Sequence, residues 1–420
     1  MSDEKANDTS ISMVLGINAL SYQMPPDLSV VVSRADCNQF FQGSSFSPSS
    51  SGNCIWNTGS SYIDVKETYL ILDVRNDSTD PGITSPWFGK DLTACNLINR
   101  LTISSRSGVI IEQIANVNVL AAIRQKYEIS SKDLAELSMA GAISDQPADT
   151  WWPKTTSKRF SIPMTLLSPW FASVNMLLPS SLASGLKFEF LFESSSNALV
   201  TGTASQAPSY LIIGARMLTS NYTLSDVVQR NLNQSAASSG LEIISSTYFS
   251  QSGSRSTNVV NLDVSKSVSR ALSAFYVEKL GTSSVDYRSS KLVSSPITSG
   301  DYVTESQWRV GSLYFPQSSV RTIEDGSEPS AVDLYIMALQ SFGRKGCVTT
   351  LDRFMSDSAI LGVSLERSTV TELAGIPLSN SRMLSLNVSW NTAASARKYN
   401  VFLKHAVLIR CFANSISVEV

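Results

Sequence analysis

Residues 186–193 read LKFEFLFE, so that large apolar side chains alternate with charged ones. The apolar members fall on one side of an extended chain: Leu186, Phe188, Phe190 and Phe192. The charged members fall on the other side, with Leu191 as the exception: Lys187, Glu189 and Glu193. A period of two is typical of a β-strand that buries one face against a core. The stretch therefore predicts a half-buried strand.

The same alternation recurs along the chain, at 260–264, 384–390 and 399–404. Other runs are continuously apolar and predict strands buried on both faces, at 69–74, 210–213 and 406–409. Loops rich in Ser, Gly, Pro and Asp separate these runs, at 43–52, 76–86, 194–208 and 294–301. Many strands divided by such loops predict β-sandwiches or barrels.

Two segments have helical periodicity, 114–127 and 329–342, and Gly343 is suited to end the second. Each follows predicted strands: 101–104 and 109–111 precede the first helix, and 310–315 precedes the second. A short helix is also predicted at 134–139. The order of early strands, one helix and late strands thus occurs twice, which indicates two similar halves.

The chain has 420 residues, and single hydrophobic cores stop growing near about 250–300 residues. Two domains are therefore expected. The segment 221–240 is polar and rich in Ser, Asn and Gln, as domain connections are. We predict an N-terminal arm at 1–26, a first β-sandwich at 27–220, a linker at 221–240 and a second β-sandwich at 241–420.

Charged residues make up 16% of the chain, below the usual share of about 25%, and Ser, Thr and Asn take their place. Hydroxyl and amide groups find neutral hydrogen-bond partners when they lose water, which favours wide, permanent contacts with other copies. The net charge is −2 and no basic arm is present, so direct packaging of nucleic acid is disfavoured. The start is hydrophilic, so we expect no secretory signal, and we expect no membrane-spanning run.

The residues that carry enzyme chemistry are sparse. His405 is the one histidine, which argues against a histidine-based triad or a multi-histidine metal centre. No nucleotide-binding glycine motif and no G-x-S-x-G elbow occurs. The cysteines lack zinc-ligand spacing, and whether Cys37 and Cys54 form a disulfide stays open. We predict no catalytic residue, no metal site and no cofactor.

Three pairs of carboxylates could contradict this prediction. Glu189 and Glu193 superficially resemble a glycosidase pair, but a solvated or interface face is the favoured interpretation. Asp77 with Asp80, and Glu324 with Asp325, lie in predicted loops where they could hold Ca²⁺ at a subunit contact. No twelve-residue calcium-binding loop accompanies them, so a metal role is disfavoured.

Paired aromatic residues are the candidates for contacts between subunits: Trp87, Phe88, Trp151, Trp152, Trp170 and Phe171. Such pairs can form a sugar-binding platform, but more often they anchor a loop onto a core or a neighbouring subunit. We favour anchoring, and we predict that the loops around Trp87, Trp151 and Trp170 contact other subunits.

Several stretches in both halves keep a characteristic order and spacing. They are INRLTI (98–103) with GVIIE (108–112) and IANVN (114–118), FSIPM (160–164) with MLLP (176–179) and GLKFEF (185–190), WRVGSLYFPQ (308–317), and NVFLKH (400–405) with LIRCF (408–412). Together they resemble the double jelly-roll major capsid proteins of tailless icosahedral double-stranded DNA viruses. The likeness is to the polinton-like, adintovirus and virophage-type branch, with Met164 where leucine is usual.

The resemblance implies an all-β fold with a few short helices, built from two β-sandwich jelly rolls in tandem. It implies a homotrimer that forms a pseudo-hexameric capsomer and tiles an icosahedral shell in the virion, after synthesis in the host cytoplasm or nucleus. The implied partners are neighbouring capsomers, penton proteins and minor capsid proteins, with room for an inner membrane below the shell. Sequence-specific nucleic-acid binding and enzyme activity are not implied, and the arm at 1–26 is expected to become ordered in the shell.

Two alternatives remain open from the residues alone. A single-jelly-roll capsid protein with a projecting domain, as in small RNA or single-stranded DNA viruses, predicts a basic N-terminal arm, which this sequence lacks. A carbohydrate-binding β-sandwich protein predicts a carboxylate pair or an aromatic platform, and usually a secretion signal. The paired aromatics supply that platform only weakly.

Overall fold

The computed structural model describes residues 30–78, 88, 93–129, 139–140, 155–199, 208–238, 240–278, 303–322, 331–343, 349–367, 374–391, 397–412 and 416–420. Antiparallel strands dominate these residues, and the helices between them are short. The predicted arm at 1–26 lies outside the described residues, as does most of the short helix predicted at 134–139.

The first half forms two four-stranded sheets. Its strands are β1 (Val31–Gln42), β2 (Ser51–Ile55), β3 (Tyr62–Asn76), β4 (Ile98–Ser104), β5 (Ile110–Ala115), β6 (Ser157–Pro163), β7 (Lys187–Phe192) and β8 (Tyr210–Leu224). One sheet has the order β1-β8-β3-β6 and the other β2-β7-β4-β5. Strand β1 joins the two sheets, because Phe41 pairs with Cys54 of β2 while the rest of β1 pairs with β8.

The second half repeats this arrangement. Its strands are β9 (Leu241–Arg255), β10 (Val259–Val264), β11 (Val268–Glu278), β12 (Val303–Val310), β13 (Leu313–Arg321), β14 (Leu361–Ser364), β15 (Ile376–Leu378), β16 (Leu384–Trp390), β17 (Arg397–Cys411) and β18 (Ile416–Glu419). One sheet is β10-β16-β12-β13. In the other, β17 lies between β9 and β11, both β14 and β15 pair with β11, and β18 pairs with the end of β17.

Each half is a jelly roll. Within each half the strands can be numbered one to eight, with β14 and β15 counted together as the sixth strand of the second half. Both halves then have the sheet orders 1-8-3-6 and 2-7-4-5, with a helix between strands five and six. Eight antiparallel strands in two such sheets are the double-sheet jelly-roll architecture. The prediction of an all-β fold with two tandem sandwiches is confirmed.

The helices connect the strands of the sandwiches. They are α1 (Val117–Tyr127), α2 (Met164–Leu167), α3 (Pro169–Ser173), α4 (Ser180–Ala183), α5 (Ser195–Ala198), α6 (Asp226–Ser238), α7 (Val332–Ser341) and α8 (Leu351–Arg353). A 3₁₀ turn precedes β4 at Ala94–Leu97, and a π turn follows α8 at Phe354–Ser358. Both predicted amphipathic helices are therefore present as α1 and α7.

Two sequence predictions need correction at their boundaries. The first helix does not begin at residue 114, because Ile114 still pairs with Leu101 in the β4–β5 ladder. The single strand predicted at 310–315 is a hairpin: Val310 ends β12, Leu313 begins β13, and Gly311 between them has φ +60°. A positive φ suits glycine and turns the chain back on itself.

The segment 221–240 contains the end of β8 and the whole of α6, a helix whose side chains are mostly exposed. It lies between the last strand of the first jelly roll and the first strand of the second. The division of the chain into an arm, two sandwiches and a linker stays a prediction.

The cores follow the alternation seen in the sequence. In β7 the side chains of Phe188, Phe190 and Phe192 are buried, and the Phe188 ring lies 4.7 Å from that of Trp56. In the second half, Phe275 packs against Phe402 with ring centroids 5.2 Å apart. Burial of large aromatic side chains supplies most of the stabilisation of such sandwiches.

Candidate assembly surfaces

Helix α1 lies at a junction between the two jelly rolls and is buried over its whole length. At its C-terminal end, Lys126 Nζ donates to Ser358 Oγ at 3.0 Å and Tyr127 Oη donates to the Ser358 carbonyl at 2.6 Å. The Tyr127 ring stacks on Phe342 with centroids 5.3 Å apart. Both partners belong to the second jelly roll, which therefore covers one end of this helix.

Buried Arg124 of α1 is satisfied within the first half. Its guanidinium donates to Glu128 Oε2 at 2.6 Å and to the carbonyls of Thr165 and Leu166 at 2.9 and 2.8 Å. Burial alone would lower the pKa of Arg124, but the charge and hydrogen bond of Glu128, with a smaller contribution from Glu112, hold it above its usual value. A buried charge with these partners fixes α1 against the segment that begins at α2.

A buried carboxylate, Glu112 of β5, connects the two jelly rolls. It accepts hydrogen bonds from Ser168 Oγ, from the Trp170 backbone N–H at 3.0 Å and from Thr247 Oγ1 at 2.5 Å. Thr247 belongs to β9 of the second half. Burial raises the pKa of Glu112, while the three donors oppose that rise.

Serine hydroxyls extend this junction along β9. The Ala115 N–H donates to Ser250 Oγ at 3.0 Å. Ser173 Oγ accepts from the Ser246 N–H at 2.9 Å and donates to the Ser246 carbonyl at 3.2 Å. The surface between the halves thus uses the neutral hydroxyl partners that the low charge content of the sequence suggests.

The predicted contact aromatics that the structure describes lie inside the chain. Phe88, Trp170 and Phe171 are each at most 1% exposed. Phe171 packs against Trp56 with centroids 5.9 Å apart, and Phe88 against Phe160 at 5.2 Å. These three side chains are held inside the chain, and a contact of the surrounding segments with another subunit stays a prediction.

Trp87, Trp151 and Trp152 lie outside the described residues, so for these residues the contact stays a prediction. The aromatic-rich loops near Trp170 reach the junction through α3, which contacts β9. A sequence cannot distinguish the core from a subunit contact here, because both bury an aromatic pair.

The two glutamates of the glycosidase-like pair have different hydrogen-bond and ion-pair partners. Glu193 lies just beyond β7, where Asn99 Nδ2 and Asn118 Nδ2 donate to its Oε2 at 2.6 and 3.0 Å. Glu189 pairs with Arg100 at 3.3 Å on the outer face. Asp77 pairs with Arg75 at 2.8 Å, while Asp80, Glu324 and Asp325 lie outside the described residues. Within the described ranges no cluster of three or more potential metal ligands occurs.

His405 and the cysteines have structural surroundings. His405 is buried in β17, its Nδ1 lies 3.2 Å from the Ala406 carbonyl, and burial lowers its pKa to about 4. Cys37 and Cys54 are both free thiols. Burial raises the pKa of Cys54 to about 12, which disfavours the reactive thiolate. No helix in the described part of the chain is long and apolar enough to cross a membrane.

Several strands and two helices expose large apolar side chains, among them Val227 of α6. On β1, Val32 is 67% exposed and Phe40 is 70% exposed. Leu313 and Tyr314 are exposed at the start of β13, as are Val332 and Ile336 on α7. Contiguous exposed apolar surface is typical of a contact with another protein.

A comparison with protein-family models gives no match, and a comparison with curated protein sequences gives none. Solved structures do match over nearly the whole chain. The quasi-atomic model of the PBCV-1 virus capsid aligns with a TM-score of 0.65 at 10% identity, over 94% of this chain and 98% of that one. The Faustovirus major capsid protein aligns with a TM-score of 0.63 at 8% identity, over 93% and 92% of the two chains.

The mavirus major capsid protein aligns with a TM-score of 0.56 at 9% identity, over 96% of this chain and 93% of that one. These structures are double jelly-roll capsid proteins, the family that the sequence resembles. At such low identity the likeness is one of fold. It extends through both jelly rolls, because more than nine tenths of each chain is matched.

Proposed function

We propose that this chain is the major capsid protein of an icosahedral virus, three copies of which form a pseudo-hexameric capsomer. The observation that carries this proposal is the repetition of one jelly-roll strand order in both halves of a single chain. Three such chains around an axis give six similar lobes, and a six-lobed unit can tile a closed surface. The matched structures, whose printed names are those of capsids and major capsid proteins, support the proposal.

The junction inside the chain supports rigid lobes. Buried hydrogen bonds of Glu112, Lys126 and Tyr127 reach across it, so the two jelly rolls are tied by directional contacts as well as by packing. A capsomer needs such rigidity, because neighbouring units must meet at fixed angles. Assembly itself follows from burial of apolar area between chains, which contributes about 25 cal/mol per Å² before the lost translational freedom is subtracted.

The proposal places the protein in the virion as a shell component and not as an enzyme. Its partners are copies of itself in neighbouring capsomers, together with penton and minor capsid proteins at special positions. The low net charge favours a genome that is condensed by other components. The segment 1–26 and the loops that hold Trp87 and Trp151 are proposed as further contacts in the assembled shell.

Sedimentation equilibrium of the purified chain tests this function. The expected result is a species with three times the chain mass of 45.5 kDa. A chain that stays at 45.5 kDa up to the highest soluble concentration would contradict the proposal. A glycan-binding assay is the corresponding test of the carbohydrate-binding alternative, and the capsid proposal expects no binding in it.

A further inference from the structure

The fifth strands of the two jelly rolls differ in how they are covered. In β5 the successive residues Ile111 and Glu112 point to opposite faces, and both are buried, at 4% and 1% exposure. Glu112 is covered from the side of β9, through Thr247. In β13 the successive residues Leu313 and Tyr314 are 47% and 48% exposed. The fifth strand is therefore covered in the first jelly roll, where it lies at the junction, and exposed in the second jelly roll.

The first strands of the two jelly rolls also differ in burial, but here the strand of the second jelly roll is the covered one. In β9 four successive residues, from Ser245 to Tyr248, are buried, because β9 is covered on both faces. Contacts from β5 and α3 supply that cover. In β1 five successive residues, from Val32 to Asp36, are exposed, so neither face is covered there. The first strand is therefore covered in the second jelly roll, where it lies at the junction, and exposed in the first jelly roll.

The helices between strands five and six repeat the contrast. Every residue of α1 is buried, and its C-terminal end packs on the second jelly roll. On α7, Val332 and Ile336 are 43% and 41% exposed. They are four residues apart and so share one face of the helix. That face is therefore partly open to solvent.

These contrasts share one geometric explanation. Within the chain, β5 of the first jelly roll meets β9 of the second, and the C-terminal end of α1 meets Phe342 and Ser358 of the second. Among the described residues, no further jelly roll packs on β13 and α7 or on β1. A head-to-tail contact of this kind joins unlike surfaces and closes into a ring when the rotation between lobes permits it.

We propose that β13 of one copy packs against β1 of the next copy, with α7 beside it against the same jelly roll, in a contact that repeats the junction within the chain. This inference rests on the proposed function, since it assigns the surfaces through which three chains close a capsomer. It names Tyr314, Val332 and Ile336 on one side and Val32 on the other. The occupant is a second copy because the matching surface lies on the chain itself.

Two single substitutions test the contact from its two sides. Tyr314→Asp places a charge on β13, and Val32→Asp places one on β1. Ile55→Asp is the matched control, because Ile55 is 43% exposed on β2, which pairs with β1 at Phe41, at the opposite end of that strand from Val32. All three sites are exposed, so circular dichroism and the unfolding midpoint should match those of the wild type.

In sedimentation, each of the two test variants should lose the three-chain species and associate at least tenfold more weakly, while the control keeps it. A mixture of the two variants tests the pairing of these two surfaces more specifically. The Val32→Asp chain keeps an intact β13 and the Tyr314→Asp chain keeps an intact β1, so one good contact can form. The mixture should yield a two-chain species that cannot close into a ring.

The outcomes separate this inference from the proposed function. If wild type and both variants all form three-chain species equally well, the contact is overturned while the capsomer stands. If the mixture gives no two-chain species although each variant is monomeric, these two surfaces are not partners and the inference is overturned as well. If the wild type is monomeric throughout, both proposals fail.

Discussion

Arg255 and Glu278 form an ion pair that is completely buried in the second jelly roll. Arg255 Nε lies 2.9 Å from Glu278 Oε1, both side chains are 0% exposed, and the Arg255 guanidinium lies 4.2 Å from the Trp390 ring centroid. Removal of one partner from such a pair leaves a buried charge without compensation and typically costs about 3–5 kcal/mol. We therefore expect Glu278→Gln to lower the free energy of unfolding by about that amount.

The matched control is Glu242→Gln. Glu242 pairs with Arg410 at 2.8 Å, but its side chain is 52% exposed. Exposed pairs contribute about 0–1 kcal/mol, so this variant should unfold close to the wild type in urea. Equal unfolding midpoints for the two variants would contradict the account of the buried pair.

Glu112 predicts a pH dependence of stability at the junction. Its pKa is raised by burial in the folded chain, so the folded state binds this proton more tightly than the unfolded state does. The resulting stabilisation is complete below the unfolded pKa of about 4.3 and is lost as the pH rises through the raised value. The neutral variant Glu112→Gln has no carboxyl group at this position, so it should not lose stability in this way as the pH rises.

Urea unfolding of both proteins between about pH 4 and pH 8 measures the difference, a range that begins near the unfolded pKa of a glutamate. The free energy of unfolding of the wild type, relative to Glu112→Gln, should fall as the pH rises. Parallel curves for the two proteins would show that Glu112 titrates alike in the folded and unfolded states.

The contacts at the junction could not be predicted, because they join residues that are distant in sequence. Glu112 stands alone in the apolar run GVIIEQI, a signal that could have marked it as a buried polar residue. Its partner Thr247 is 135 positions away, so no local pattern connects the two. Trp170 and Phe171 follow a proline as surface anchors often do, yet strands distant in sequence cover them.

At the level of elements, the close approach of α7 to β14 gives a further prediction. A Cβ at Gly362 would lie 2.9 Å from Ala338 Cα and 2.6 Å from Ser341 Oγ of the helix. Gly362→Ala must therefore push α7 away from the strand, and such overpacking costs about 1–3 kcal/mol. Urea unfolding measures this cost, and Ser364→Ala on the same strand is the control. A Gly362→Ala chain as stable as the control would contradict the packing.

Elements were predictable where one local period governs a stretch. Strand β7 follows from LKFEFLFE, and β16 follows from the alternation at 384–390. The boundary of α1 was misplaced because Ile114 suits both the strand face and the helical stripe. The hairpin at Gly311 was missed because apolar residues on both sides of a two-residue turn read as one continuous run.

For the molecule as a whole, the aromatic loop at Trp151 and Trp152 remains a proposed contact. The double substitution Trp151→Ala with Trp152→Ala should weaken the oligomer in sedimentation while the unfolding midpoint stays unchanged. Trp170→Ala is the contrasting variant, because it empties a buried site and should destabilise the chain by about 3–5 kcal/mol. Unchanged sedimentation of the double variant would remove this loop from the proposed contacts.

The two-sandwich architecture was predictable because both halves repeat an order of strands and one helix that the sequence itself displays. The surfaces that face other copies were not predictable, because exposure depends on which strands the fold leaves uncovered. Both β1 and β13 carry large apolar residues, as buried strands do, and the distinction appears once both jelly rolls are in place.

Negative-stain electron microscopy of the purified full-length chain tests the central claim most directly. Class averages should show a ring of six lobes with threefold symmetry, which corresponds to three chains with two jelly rolls each. Particles with two lobes at every concentration would mean that the chain does not build the capsomer, and the account of its function would be wrong.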